Sequence, residues 1–163
     1  CSVPEITGVW PALWMMPEKS VYGNWPRSGE IDIVETINEK SDELVTTIHY
    51  GHDYHRQISK TTFLNQLTKL SNPIDHNKIS LIWEDKYFEW LLNDQLVFKV
   101  NFNEVENLEP NQFLEEFYLL INVAVGGNWP GTPNSTMYCN SRKSCPDVKK
   151  LIVDYIAYYE KIN

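Results

Sequence analysis

Three carboxylates stand within six residues in the run Gly29-Glu30-Ile31-Asp32-Ile33-Val34-Glu35. A strand alternates faces with period two, so Glu30 and Asp32 share a face and Glu35 points to the other. One extra residue, a β-bulge, re-aims Glu35 to join them, and bulges recur beside active sites. Two carboxylates held roughly 5–5.5 Å apart are the pair that cleaves a glycosidic bond with retention, one as nucleophile and one as acid/base. A solvated strand face and a cation site are the competing readings. Ile31 and Val34 argue against the first, because they put one face in a core and crowd like charges onto the other. Such crowding raises at least one pKa, which suits a general acid.

The elements that must position these groups read as strands. Runs at 8–16, 30–36, 44–50, 78–83, 87–92, 95–102, 117–125 and 151–160 carry strand-like patterns. Asn93-Asp94 between two of them reads as a hairpin turn, and the acidic stretch 101–116 as a turn or two of helix. Several short strands between polar turns predict an all-β sandwich or barrel. Trp10, Ala12 and Trp14 fall on one strand face. They form either an aromatic ledge open to a ligand or a ladder in the sheet core. Pro11 cannot donate to a ladder, which places this strand near an edge or a bulge. The run Ile121 to Val125 reads as a buried strand. It enters a Gly126-Gly127 loop that presents Asn128 and Trp129, either to a ligand or as a cover on the core.

At 163 residues the chain reads as a single domain spanning 1–163, large enough for a sizeable core. Six Trp and nine Tyr lift the aromatic share to 13%, which suits an aromatic core or stacking platforms for sugar rings. The net charge of −8 argues against nucleic acid and anionic membrane as partners and favours a neutral glycan. No apolar run reaches the roughly 18 residues of a membrane-spanning helix. Cys139 and Cys145 flank a short polar loop that a disulfide would close, with Cys1 left over. Asn134-Ser135-Thr136 is an N-glycosylation sequon. Together these features point to a secreted protein. The abrupt start at Cys1-Ser2-Val3-Pro4 reads as a mature or processed end.

Five segments taken together resemble glycoside hydrolase family 16, specifically its laminarinase-like endo-β-1,3-glucanases. They run Gly8 to Met16, Gly29 to Glu35, Thr47 to Gly51, Asn122 to Gly131 and Val153 to Ile156, in the family's order. The resemblance implies a β-jelly roll of two antiparallel sheets with a concave glycan-binding face. It implies catalytic positions at Glu30 as nucleophile, Glu35 as acid/base and Asp32 as the group that hydrogen-bonds the nucleophile. The spacing Glu-x-Asp-x-x-Glu is the bulged form of that motif. Trp10, Trp14 and Trp25 would line donor subsites, and His49 would reach the reaction centre from the adjacent strand. The spacing of His49, His52 and His55 also suggests a metal, but period three does not stay on one strand face. Catalysis by this chemistry requires no cofactor; Asp154 matches a position where family members bind a structural Ca²⁺. One departure stands out: the family's N-terminal strands precede the Trp-rich segment, which here begins at residue 8. The chain is therefore expected to be the C-terminal portion of an N-terminally incomplete jelly roll. A separate N-terminal fragment is the expected partner, with Cys1 as one means of attachment. The expected activity is retaining hydrolysis of internal β-1,3-glucosidic bonds. The alternatives are a non-catalytic β-1,3-glucan recognition protein and a hydrolase of the same fold acting on mixed-linkage glucan or a galactan.

Overall fold

The structure, a computed structural model, describes residues 7–37, 42–67, 77–133 and 150–161. Eight strands form in chain order: β1 (Val9–Pro17), β2 (Glu30–Glu35), β3 (Glu43–Tyr50), β4 (Arg56–Phe63), β5 (Ile79–Glu84), β6 (Tyr87–Leu92), β7 (Gln95–Asn101) and β8 (Phe117–Val125). They make two antiparallel sheets, a five-stranded one in the order β4-β3-β2-β1-β8 and a three-stranded one in the order β5-β6-β7. No α-helix forms among the described residues. Single 3-10 turns at Phe102–Glu104 and Gln112–Leu114 account for the helical tendency of 101–116.

The core lies between the sheets and is strongly aromatic. Ile31 and Ile48 from the large sheet meet Phe88, Trp90 and Val100 from the small one, all nearly or fully buried. The Phe88 ring lies edge-on to Trp83, Trp90, Phe102 and Phe113 at centroid separations of 4.9–5.5 Å, a geometry that aromatic quadrupoles favour. Val34, Leu44, Leu64 and Leu92 form a second cluster. The hairpin at Asn93-Asp94 has positive φ at both residues, as a two-residue turn between twisted strands requires.

Three expectations change. β4 is a strand that its sequence hides: Arg56–Phe63 is polar and mostly exposed, and it is held by pairing along β3 rather than by an apolar stripe. The strand expected at 151–160 is not one. That segment contributes only an isolated bridge at Ile152, and Tyr155, Ile156, Tyr158 and Tyr159 lie exposed. It passes close to β5, where Lys161 Nζ lies 3.4 Å from Glu84 Oε1, but a strand needs a continuous partner ladder and the segment makes none among the described residues. Finally, the run Ile121 to Val125 is a strand but not a buried one, with Ile121, Val123 and Val125 all exposed. Of the two settings Pro11 allows for β1, the structure has the bulge: β1 is an interior strand with a register irregularity between Leu13 and Trp14. Pro11 is tolerated because its carbonyl accepts from Thr36 N, just past the last residue of β2. Its nitrogen faces the same side, where the ladder has ended and no donor is needed.

Candidate active site

β2 begins abruptly. Gly29 sits at φ +86°, and a Cβ there would lie 2.9 Å from Gln112 Cγ and 3.0 Å from Phe113 Cε1. Only glycine takes this backbone conformation in so tight a contact. The chain then meets an irregularity that shows in both neighbouring ladders. Against β3, Asp32 pairs with Thr47 and Glu35 with Val45, so three steps on β2 oppose two on β3. Against β1, Trp14 pairs with Asp32 and Leu13 with Val34. Ile33 is the extra residue of a bulge. Glu30, Asp32 and Glu35 thereby share one face, with Trp10, Ala12 and Trp14 of β1 on one side and Val45, Thr47 and His49 of β3 on the other. Ile31 and Val34 turn to the opposite face and into the core.

Each glutamate is held by an indole. Trp10 Nε1 donates to Glu35 Oε1 at 2.8 Å, and Trp25 Nε1 donates to Glu30 Oε2 at 2.5 Å. Asp32, almost wholly buried between them, has its Oδ2 3.1 Å from His49 Nε2, close enough for an ion pair although off hydrogen-bond alignment. Burial is the largest influence on all three carboxyls. It pushes Glu35 up to about 8, helped by the nearby Asp32 charge and opposed by the Trp10 hydrogen bond. Burial and the Asp32 charge raise Glu30 to about 7, against the pull of His49 and Trp25. Asp32 is raised to about 7 by burial, and a hydrogen bond from Glu30 lowers it in part. Burial pushes His49 down, so the imidazole tends to be neutral despite its acidic neighbours. Such a site holds protons near neutrality, which is what general acid and base chemistry needs.

The remaining positions fall as follows. Trp14 shares the site face, but its indole donates to Asn122 Oδ1 on β8 at 2.7 Å. Trp129 stands edge-on to Trp10 at 5.0 Å and is 41% exposed, so it covers solvent-facing aromatic surface rather than the core. Asn128 lies exposed in the loop after β8. The three histidines do not converge on an ion: His49 Nδ1 meets His55 Nε2 at 2.8 Å, while His52 Nε2 reaches Pro110 O at 3.1 Å. Among the described residues the one close group of three metal-capable side chains is Glu30, Asp32 and His49, within the carboxylate cluster itself. Asp154 lies exposed in the 150–161 segment and belongs to no such group. Cys1, Asn134, Cys139 and Cys145 lie outside the described residues. Sequence reasoning missed Asn122 and His55. The His49/His55 spacing was visible but suggested a metal; a tight turn at Gly51 (φ +115°) brings the second ring back beside the first.

Two antiparallel sheets with buried paired carboxylates and indole donors on one face define a glycoside hydrolase of the β-jelly-roll class. A family model described as the XgeA-like, catalytic GH16 domain matches residues 1–81. The chain is 34% identical to a glucan endo-1,3-beta-glucosidase A1 of Niallia circulans over 98% of its own length and 23% of that protein. It is 34% identical to a glucan endo-1,3-beta-glucosidase of Cryptopygus antarcticus over 79% of its length and 49% of that protein. The laminarinase catalytic domain of Thermotoga maritima superposes with a TM-score of 0.72 at 30% identity, over 85% of this chain and 55% of that one. The likeness extends to a keratan-sulfate endo-1,4-beta-galactosidase of Sphingobacterium multivorum, 34% identical over 76% of this chain and 29% of that protein. The chain belongs to glycoside hydrolase family 16 and carries part of its catalytic domain. It spans half or less of the length of these curated relatives.

Proposed function

We propose that the protein hydrolyses internal β-1,3-glucosidic bonds of a laminarin-like glucan with retention. The observation that carries this reading is the Ile33 bulge, which gathers Glu30, Asp32 and Glu35 on one buried, indole-braced face. Glu30 is the nucleophile, with Trp25 holding Oε2 and leaving the other oxygen to attack the anomeric carbon. Glu35, whose proton is held by burial to about pH 8, donates it to the leaving oxygen. In the second step the glutamate, now ionised, takes a proton from water, and that water releases the sugar from Glu30. Asp32 accepts or returns a proton beside the nucleophile. Trp10, Trp14, Trp25, Asn128 and Trp129 supply sugar-contacting surface, and His49 sits against Asp32. The likeness to a galactan-cleaving relative favours one second reading, the same chemistry on a galactan. A net charge of −8 weighs against a sulfated one.

The test is reducing-end release from laminarin, with the anomer of the first product followed by proton NMR. Retention in the wild type is expected, and Glu30→Gln is expected to lose at least about 10³-fold in kcat while still folding and binding glucan. First-formed product of inverted configuration, or a Glu30→Gln variant of undiminished rate, overturns the assignment. Glucan binding without sugar release would point to the recognition protein.

Three subsidiary proposals accompany this one. Calcium at Asp154 rests on carboxylate chemistry alone, and its further ligands would come from outside the described side-chain groups. Secretion follows from a polymeric substrate that cells meet outside. A polypeptide segment completing the large sheet is supported by its free edge. Ile121, Val123 and Val125 of β8 fall on the core-facing side of that sheet, yet all are more than a third exposed.

A further inference from the structure

We infer that His55 is a positioning residue, holding His49 against Asp32 and Trp25 against Glu30. This rests on the assignment of that carboxylate cluster as the reaction centre. His55 lies just before β4, at the end of a loop that leaves β3 at Tyr50. The loop closes tightly: Gly51 has φ +115°, and a Cβ there would stand 2.1 Å from Tyr54 O. The turn is braced by Arg56, which pairs with Asp53 at 2.5 Å and lies 3.7 Å over the Tyr54 ring. The His55 ring is thus delivered between two groups that each touch a carboxylate of the site. Its centroid is 5.0 Å from His49, nearly parallel, and 4.7 Å from Trp25. Its Nε2 is 2.8 Å from His49 Nδ1.

With the hydrogen bond between Glu30 and Asp32 the contacts close a ring: Glu30 to Trp25, Trp25 to His55, His55 to His49, His49 to Asp32 and Asp32 back to Glu30. A neutral imidazole carries one proton, so the partner of one nitrogen decides what the other presents. When Asp32 is ionised, its charge 3.1 Å from His49 Nε2 favours the tautomer that carries hydrogen at that nitrogen. Its Nδ1 is then an acceptor, and His55 Nε2–H is the donor that fills it. Without His55, water can meet Nδ1 as either donor or acceptor, and the proton is free to move to the wrong nitrogen. The Trp25 indole, half exposed, would lose the ring that holds it over Glu30. His55 itself is exposed, so its removal leaves the core intact.

The experiment pairs a tautomer measurement with kinetics on the whole chain. Nitrogen-15 correlation spectra of histidine-labelled protein, assigned with single His variants, report which nitrogen of His49 carries hydrogen. The expected wild-type state is Nε2–H. His55→Ala should convert it to a mixture, and His55→Gln, whose side-chain amide can still donate, should preserve it. On laminarin, His55→Ala should lower kcat roughly tenfold with KM within about twofold, and His55→Gln should recover most of the loss. A wild-type His49 protonated at Nδ1, or a spectrum indifferent to His55→Ala, overturns the inference. So does an effect confined to KM, which would make the ring a sugar-stacking surface, or an equal loss in both variants. If the wild type releases no sugar, the assigned activity fails, and the tautomer measurement alone decides the role of His55.

Discussion

Glu35 does opposite things to chemistry and to stability. The residue is 8% exposed, and burial holds its carboxyl proton to about pH 8, well above the ordinary value of 4.5. The folded state therefore binds a proton that the unfolded chain has released across the window between those values. Stability from this group is present below about pH 4.5 and is lost as pH rises toward 8. Glu30 and Asp32, both raised to about 7, act in the same direction over a narrower window. The melting temperature should accordingly fall between pH 5 and pH 8. Glu35→Gln, which keeps an acceptor for Trp10 but never ionises, should melt a few degrees above the wild type at pH 8 and close to it at pH 5. Parallel melting curves for the two proteins across that range would refute the buried-carboxyl account. The same substitution removes the proposed acid/base, so on that assignment stability and activity part company at this residue, as is common where a site stores unfavourable charge.

At the scale of the element, β2 and its entry set the geometry. Gly29 lets the chain turn sharply against Gln112 and Phe113 so that Glu30 opens the strand directly opposite His49. Gly29→Ala adds a methyl to a contact that has no room and forces an L-residue to hold φ +86°. The combined cost is expected to be about 2–4 kcal/mol, read as an earlier denaturant midpoint with little change in m-value. A loss below about 0.5 kcal/mol would mean that the turn relaxes freely and does not fix Glu30. The bulge at Ile33 is the companion device. Were Ile33 accommodated by ordinary alternation instead of a bulge, Glu35 would project on the core side beside Ile31, where an unpaired carboxylate is costly. Bulge and glycine together convert a strand with ordinary alternation into a platform with three acids on one side.

The whole molecule is asymmetric in how its sheets cover one another. The five-stranded sheet is wider than the three-stranded one, and the excess falls at β8. Val9 on β1 is buried, but Val125, which pairs with it, is 61% exposed. Nine residues of paired strand thus end in an apolar margin with no further strand beside it among the described residues. Such margins recruit other chains. Val123→Lys places a charge at that margin, and because the site is open it should change the melting temperature by no more than about a degree. Sedimentation should show less self-association than in the wild type. A loss of several degrees would reveal that Val123 is covered in solution.

Much of this was legible in the sequence because it is written in local periodicity and in residue chemistry. The alternation around Tyr87 to Leu92 and Gln95 to Val100, with Asn93-Asp94 between, specifies a hairpin without reference to anything else. The carboxylate run announced its bulge because five positions cannot share a strand face and three acids rarely gather by chance. Other features depended on what lies across the fold. β4 is a strand only because β3 offers it a ladder, and 151–160, with the better strand pattern, makes no more than an isolated bridge at Ile152. The aromatic ledge resolved into two indoles with different duties, one on Glu35 and one on Asn122, and partners 25 and 108 residues away cannot be read from spacing. His55 shows the division most clearly. Its type and distance from His49 were plain, but a hydrogen bond between two rings depends on where a turn lands them. Periodicity fixes which way a side chain points along its own strand; only the tertiary structure decides what it meets there.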